Sequence, residues 1–252
     1  MNKKFIAFFD SGVGGLSLLR ECWCRYPYER YLYFGDNANA PYGNRGAEEI
    51  CRLARSAFDQ LAQYPLRAAV IACNTVTAEC VEDLRPLYSF PIVGIEPAIK
   101  PAAAFASGGK VLVLATRATL ASERVRSLIE RNSAQVSVSL HCPAALAGEI
   151  EKNIFCLDRI DLAKHLPEGK FDAVVLGCTH YILLRERIGK VLGCPVFDGV
   201  SATVDHLAKI TNICSKNVKN CRKKEVFFVG PSKNINKEVF FALNKANKRS
   251  QK

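Results

Sequence analysis

The chain has 252 residues, 49% of them hydrophobic and 23% charged, enough to bury a large core in one domain or two small ones. No apolar run approaches the roughly 20 residues that span a bilayer, and Asp10 cuts the leading run Phe5-Ile6-Ala7-Phe8-Phe9 too short for a signal peptide. The net charge of +11 is uneven: residues 209–252 hold twelve Lys/Arg against Glu225 and Glu238, and the first 208 residues are near neutral.

The expected location is the cytoplasm, with no membrane contact. The basic end reads as a solvated face. No aromatic-interleaved RNA motif or zinc finger accompanies it, so nucleic acid is not an expected partner. Eleven cysteines, an odd number without a secretory leader, argue against a disulfide framework. No C-x-x-C pair occurs, and Cys22-Trp23-Cys24 lacks zinc-ribbon spacing, so no metal site is expected. Most of the cysteines read as small apolar core residues.

In chain order, Phe5 to Phe9 is a strand, Asp10-Ser11-Gly12-Val13-Gly14-Gly15 a turn, and Leu16 to Cys24 a helix, which is the start of an α/β unit. A dinucleotide G-x-G-x-x-G would need glycine where Ser17 stands. The glycines fit better as bare backbone N–H groups facing a small anion such as a carboxylate, with Ser11 adding a hydroxyl. Asp10 is then either a helix cap or a partner for an ammonium or catalytic group.

Tyr31 to Phe34 is the second strand, followed by the polar loop Gly35 to Gly43, which contains Pro41 and Tyr42. Glu48 to Tyr64 is helical. Ala68 to Ala72 is the third strand and ends at Cys73-Asn74-Thr75, with a helix from Thr77 to Tyr88 behind it. Ile92 to Ile95 is the fourth strand, and Glu96-Pro97-Ala98 leads into a helix through Ala106.

Val111 to Thr116 opens a second series. Ala115-Thr116 lies 105 residues after Asp10-Ser11, and Cys178 lies 105 residues after Cys73. Two strand–polar junctions repeated at one offset point to an internal duplication. In this series Ala118 to Arg131 is a helix, Val136 to His141 a strand, and Pro143 to Asn153 carries Glu149 and Glu151. Asp161 to Leu166 is a helix, and Val174 to Gly177 is the strand that ends at Cys178-Thr179-His180. Helix Ile182 to Leu192, short strand Val196-Phe197 and helix Val200 to Thr211 follow. A last strand, Glu225 to Val229, and a helix, Lys237 to Asn247, return to one of the sheets, in our reading the first.

The expected fold class is α/β: two similar parallel-sheet domains related by duplication, with the site in the cleft between them. The division is residues 1–97, with 208–252 returning to them, and residues 98–207. Each cysteine precedes a helix, whose N-terminus favours a thiolate. Two thiols on facing walls can take a proton from one face of a carbon and return one to the other, which is stereoinversion by general acid–base catalysis. Redox exchange is the alternative for paired thiols, and the missing C-x-x-C speaks against it.

The ordered set Asp10-Ser11-Gly12-Val13-Gly14-Gly15-Leu16-Ser17, Gly35-Asp36 with Pro41-Tyr42-Gly43, Ala72-Cys73-Asn74-Thr75, Val93-Gly94-Ile95-Glu96-Pro97-Ala98, Ala115-Thr116-Arg117-Ala118-Thr119 and Leu176-Gly177-Cys178-Thr179-His180-Tyr181 resembles the glutamate racemases of the cofactor-independent aspartate/glutamate racemase superfamily. The resemblance implies interconversion of L- and D-glutamate without a cofactor, supplying peptidoglycan, by a homodimer. It implies Cys73 and Cys178 as the acid/base thiols, with Asp10 assisting the first and His180 the second. Asp10, Ser11, Pro41, Tyr42, Gly43, Asn74, Thr75, Thr116, Thr119, Thr179 and His180 would contact substrate. The family's glutamate in the second half falls at Ile150, so either neighbour, Glu149 or Glu151, can take that role. Ile182 stands where the family has proline, and Val76 where it has a small residue. The same residues leave two rivals open: an aspartate or hydantoin racemase, and a degenerate racemase fold that binds a partner through the basic end.

Overall fold

The apolar runs become strands buried on both faces, as parallel sheets flanked by helices require. The computed structural model describes residues 4–213 and 225–250, the stretch 246–250 by backbone alone. Nine strands occur among the described residues: β1 (Phe5–Asp10), β2 (Arg30–Gly35), β3 (Leu66–Ile71), β4 (Ile92–Gly94), β5 (Lys110–Ala115), β6 (Ser137–His141), β7 (Ala173–Gly177), β8 (Val196–Asp198) and β9 (Glu225–Val229). They form two all-parallel sheets, ordered β4-β3-β1-β2-β9 and β6-β5-β7-β8.

The duplication is visible in this order. In each sheet the opening strand (β1 or β5) lies between the strand that follows it and the cysteine-bearing strand (β3 or β7), and a short strand (β4 or β8) closes that side. The first sheet alone carries an addition, β9, paired in parallel with β2 from Arg30↔Glu225 to Phe34↔Val229.

Each sheet has apolar side chains on both faces. In the first, Phe9, Leu32 and Ile71 meet Phe58 of α2 (Ala47–Leu61) on one side. On the other, Phe8 and Val70 meet Leu19 of α1 (Leu16–Arg25), Val204 and Leu207 of α10 (Val200–Thr211) and Phe240 of α11 (Lys233–Ser250). In the second sheet, Leu114 and Leu176 meet Ile150 of α7 (Leu146–Lys152) and Ile188 of α9 (Arg185–Leu192), and Val113 and Val175 meet Ile99 of α4 (Ile99–Phe105) and Val125 of α6 (Glu123–Asn132).

Several elements differ from the sequence reading. The helix behind Cys73, α3 (Asn74–Leu84), starts at Asn74 and not at Thr77, so Cys73 itself is the residue that caps it. Its buried Val76, Cys80, Val81 and Leu84 anchor the helix along its length despite the modest helix propensity of Asn and Thr in its first turn. The helix read from Ala118 to Arg131 is two, α5 (Arg117–Ala121) and α6, because Ser122 turns extended and its hydroxyl caps Val125 N. The helix read from Ile182 likewise splits into α8 (Thr179–Ile182) and α9. Residues 161–166 form only a short 3-10 turn.

The cysteines also need correcting. Cys51 of α2 and Cys80 of α3 are joined in a disulfide that spans 29 residues. Of the free cysteines described, Cys22, Cys73 and Cys178 are buried, Cys142, Cys156 and Cys194 are partly so, and Cys24 is exposed. Cys22, Cys73, Cys80 and Cys178 lie in the hydrophobic clusters and Cys51 and Cys194 pack against them, so most of the described cysteines are core residues as expected. Among the described residues no helix is long and apolar enough to cross a membrane, and no His/Cys/Asp/Glu group is arranged to hold a metal.

Candidate active site

Parallel strands all end on the same side of their sheet, so the polar residues that follow β1, β3, β5 and β7 collect at one edge. The two edges face each other. Ser11, Tyr42, Cys73 and Asn74 from the first half and Thr116, Cys178, Thr179 and His180 from the second line a single cavity, with Pro41, Gly43, Thr75 and Ala147 completing it. The cavity is small, about 10 Å³.

Glycines make this apposition possible. A Cβ on Gly14 would lie 2.6 Å from His180 N, and one on Gly43 would lie 2.4 Å from Thr116 Cβ. The N–H groups of the glycine turn were expected to face a bound anion, but they hold the protein's own carboxylates. Gly12 N donates to Asp10 Oδ1 at 2.7 Å, and Val13 N donates to Glu151 Oε1 at 2.8 Å. Asp10 is not a helix cap: its other oxygen accepts from Thr179 Oγ1 across the cleft at 3.0 Å.

On the first wall, Ser11 Oγ lies 3.5 Å from Cys73 Sγ. The helix start does not win here. Burial, then the charge of Asp10, push the Cys73 thiol up to about 11, against the pull of the Ser11 hydroxyl and the Val76 N–H. Burial likewise raises the Asp10 carboxyl above its usual range, although the His180 cation, Gly12 and Thr179 oppose it.

On the second wall, Cys178 Sγ lies 3.9 Å from His180 Nδ1, and His180 Nε2 lies 2.5 Å from Glu151 Oε1. Burial disfavours the His180 cation, but the contacts with Cys178 and Glu151 outweigh it and hold the ring well above its usual value. Burial also opposes the Glu151 carboxylate, yet His180, Val13 N and Asn37 keep it below the ordinary range. Of the two glutamates, Glu151 thus reaches the cleft, whereas Glu149 faces outward to His165 at 3.1 Å.

The hydroxyls of Thr75, Thr116 and Thr119 lie 2.8–3.2 Å from one another and bridge the halves. Asn74 is buried, and neither amide atom has a hydrogen-bond partner. This leaves an unused donor and acceptor at the cavity wall. Tyr42 donates to Asp36 Oδ2 at 2.6 Å, which fixes the loop after β2. Asp36 and Asn37 were not singled out as site residues in the sequence. The pairing of Asn37 Nδ2 with Glu151 Oε2 at 2.9 Å spans 114 positions and leaves no local signal.

Residues 25–207 match the family model described as Asp/Glu/hydantoin racemase. The chain belongs to that family. It is 43% identical over 200 residues to a glutamate racemase of Clostridium novyi, covering 77% of each chain, and 41% identical over 197 residues to one of Clostridium botulinum, covering 76% of each. Among solved structures it is similar to Escherichia coli glutamate racemase in complex with L-glutamate and an activator, with TM-score 0.79, 30% identity and coverage of 97% and 95%. A glutamate racemase isoform from Bacillus anthracis superposes with TM-score 0.75 at 29% identity, with coverage of 98% and 94%. The two-sheet α/β architecture is that of these structures, and the chain is an isomerase of the amino-acid racemase class.

Proposed function

We propose that this chain interconverts L- and D-glutamate by a two-thiol proton exchange. The observation that carries the reading is the meeting of Cys73 and Cys178, at the ends of equivalent strands of two sheets, in one small cavity lined by side chains of both halves. One sulfur, as thiolate, takes the Cα proton: the C–H bond breaks, an S–H bond forms, and the electron pair moves toward the substrate carboxylate. The opposite thiol then gives its proton to the other face of the carbon. Burial and the Asp10 charge favour the protonated form of Cys73, and His180 Nδ1 stands 3.9 Å from the Cys178 sulfur. Asp10 stands behind the first wall, and the Glu151–His180 pair behind the second.

Asn74 and the Ser11, Thr75, Thr116 and Thr179 hydroxyls suit the two carboxylates and the ammonium group of glutamate, whereas Thr119 lies behind them, hydrogen-bonded to Thr75 and Thr116. In this reading the walls part to admit glutamate and close to exclude water. The relatives named glutamate racemase support this substrate. The reading extends to a cytoplasmic supply of D-glutamate for peptidoglycan and to a homodimer, for which exposed Phe105, Leu140 and Phe155 offer apolar surface.

The test is racemisation of L- and D-glutamate followed by circular dichroism in wild type, Cys73→Ser and Cys178→Ser. Each variant is expected to lose about 10²–10⁴-fold, the scale of a general acid or base. Full activity in either variant overturns the mechanism. Inversion of aspartate or a hydantoin, with glutamate untouched, overturns the substrate.

A further inference from the structure

Glu151 is held by donors from both halves of the molecule. Its own helix, α7, belongs to the second half, as does His180. Val13 N and Asn37 Nδ2 reach it from the first. Oε1 serves His180 and Val13, and Oε2 serves Asn37.

Asn37 has little else to do. It sits in the turn after β2, whose shape Asp36 sets by accepting from Tyr42 and from Asn39 Nδ2. Its Oδ1 is buried without a hydrogen-bond partner, so among the described residues its side chain makes one hydrogen bond, to Glu151. A buried, unpaired carbonyl is unfavourable for stability. An amide kept under those terms serves the group it donates to.

We propose that Asn37 is a positioning residue that holds Glu151 ionised against His180 only while the two halves are together. This inference rests on the racemase reading above. When the walls part, Glu151 loses both cross-cleft donors. The charge behind Cys178 is therefore assembled by closure, at the moment the substrate is shielded from water. The groups facing the pair are Asp10 from β1, Tyr33 from β2 and Cys178 after β7. All three are either neutral or of the same sign as Glu151, so the donors on Glu151 matter to its ionisation.

Asn37→Ala removes the donor, and Asn37→Asp keeps the shape but sets a like charge against Oε2. Both are expected to lower kcat roughly tenfold or more, the scale of one hydrogen bond to a charged group, with KM within about twofold. The acid limb of the kcat profile moves to higher pH in both, further in the Asp variant, because each change makes Glu151 easier to protonate. A substrate-free readout keeps this test separate from the parent reading: the carboxyl-carbon NMR titration of Glu151, assigned by its loss in Glu151→Gln. That titration is expected to move upward from wild type to Asn37→Ala to Asn37→Asp. An unmoved Glu151 titration, an unmoved acid limb, or a change in KM alone overturns the proposal. If one variant does not fold, the other carries the test. Wild type inactive on glutamate would overturn the parent reading and leave the NMR result standing.

Discussion

Gly14→Ala places one methyl group at the seam between the two walls. Gly14 lies in the turn between β1 and α1, and an added Cβ would stand 2.6 Å from His180 N, 2.7 Å from Thr179 C and 2.8 Å from Thr179 Oγ1. Two of these are backbone atoms and cannot rotate away. Its φ is not positive, so the penalty is contact and not backbone strain. Ordinary contact begins at 3.4 Å, so the turn and the start of α8 must separate by roughly 0.8 Å. That displacement takes Thr179 Oγ1 beyond hydrogen-bond reach of Asp10, now 3.0 Å away, and carries Cys178 and His180 away from Cys73. Misplacing reacting groups by about 1 Å is worth around 100-fold in rate. We therefore expect kcat for L-glutamate to fall about 100-fold in Gly14→Ala while the protein remains folded. Gly148→Ala is the control: it lies inside α7 with nothing within 4 Å of a Cβ. It should gain about 0.5–1 kcal/mol in denaturant unfolding and leave kcat unchanged. A Gly14→Ala protein with kcat within threefold of wild type would refute the idea that close apposition of the walls sets the rate.

Asp10→Asn keeps the geometry and removes a buried charge. Because the folded-state carboxyl titrates above its unfolded value, the native protein binds more protons across that window, and stability falls as pH rises through it. The variant is expected to be less active yet more stable than wild type at pH 7, with the difference in Tm vanishing below the unfolded carboxyl's range. A Tm difference that does not change with pH would contradict this. With Cys51 and Cys80 joined, denatured, unreduced protein should show at least two fewer thiols to a thiol reagent than the eleven counted after reduction. Eleven before reduction would show the pair open.

The strands and the two cysteines were legible because burial on both faces writes long apolar runs, and a duplicated unit writes its polar strand ends twice, at Asp10-Ser11 with Ala115-Thr116 and at Cys73 with Cys178. Glu149 and Glu151 were not separable, since one residue turns a helix side chain by about 100° and only the tertiary setting decides which faces inward. The link from Asn37 to Glu151 and the Cys51–Cys80 bond join positions with no local pattern. The effect of burial on Cys73 was misread for a related reason: the helix start is visible in sequence, but the desolvation that overrides it is a property of the closed cleft.

The parallel pairing of β9 with β2 gives this molecule an order of assembly. On a ribosome, the whole second sheet is made before residues 225–229 appear. Until then the outer edge of β2, Arg30 to Gly35, offers its backbone groups unpaired. Phe240 of α11 is also missing from the face it later shares with Phe8 and Leu19. The first sheet thus begins folding before the second and is completed after it, so a nascent chain halted short of residue 225 would carry an open, aromatic-rich strand edge as its point of aggregation.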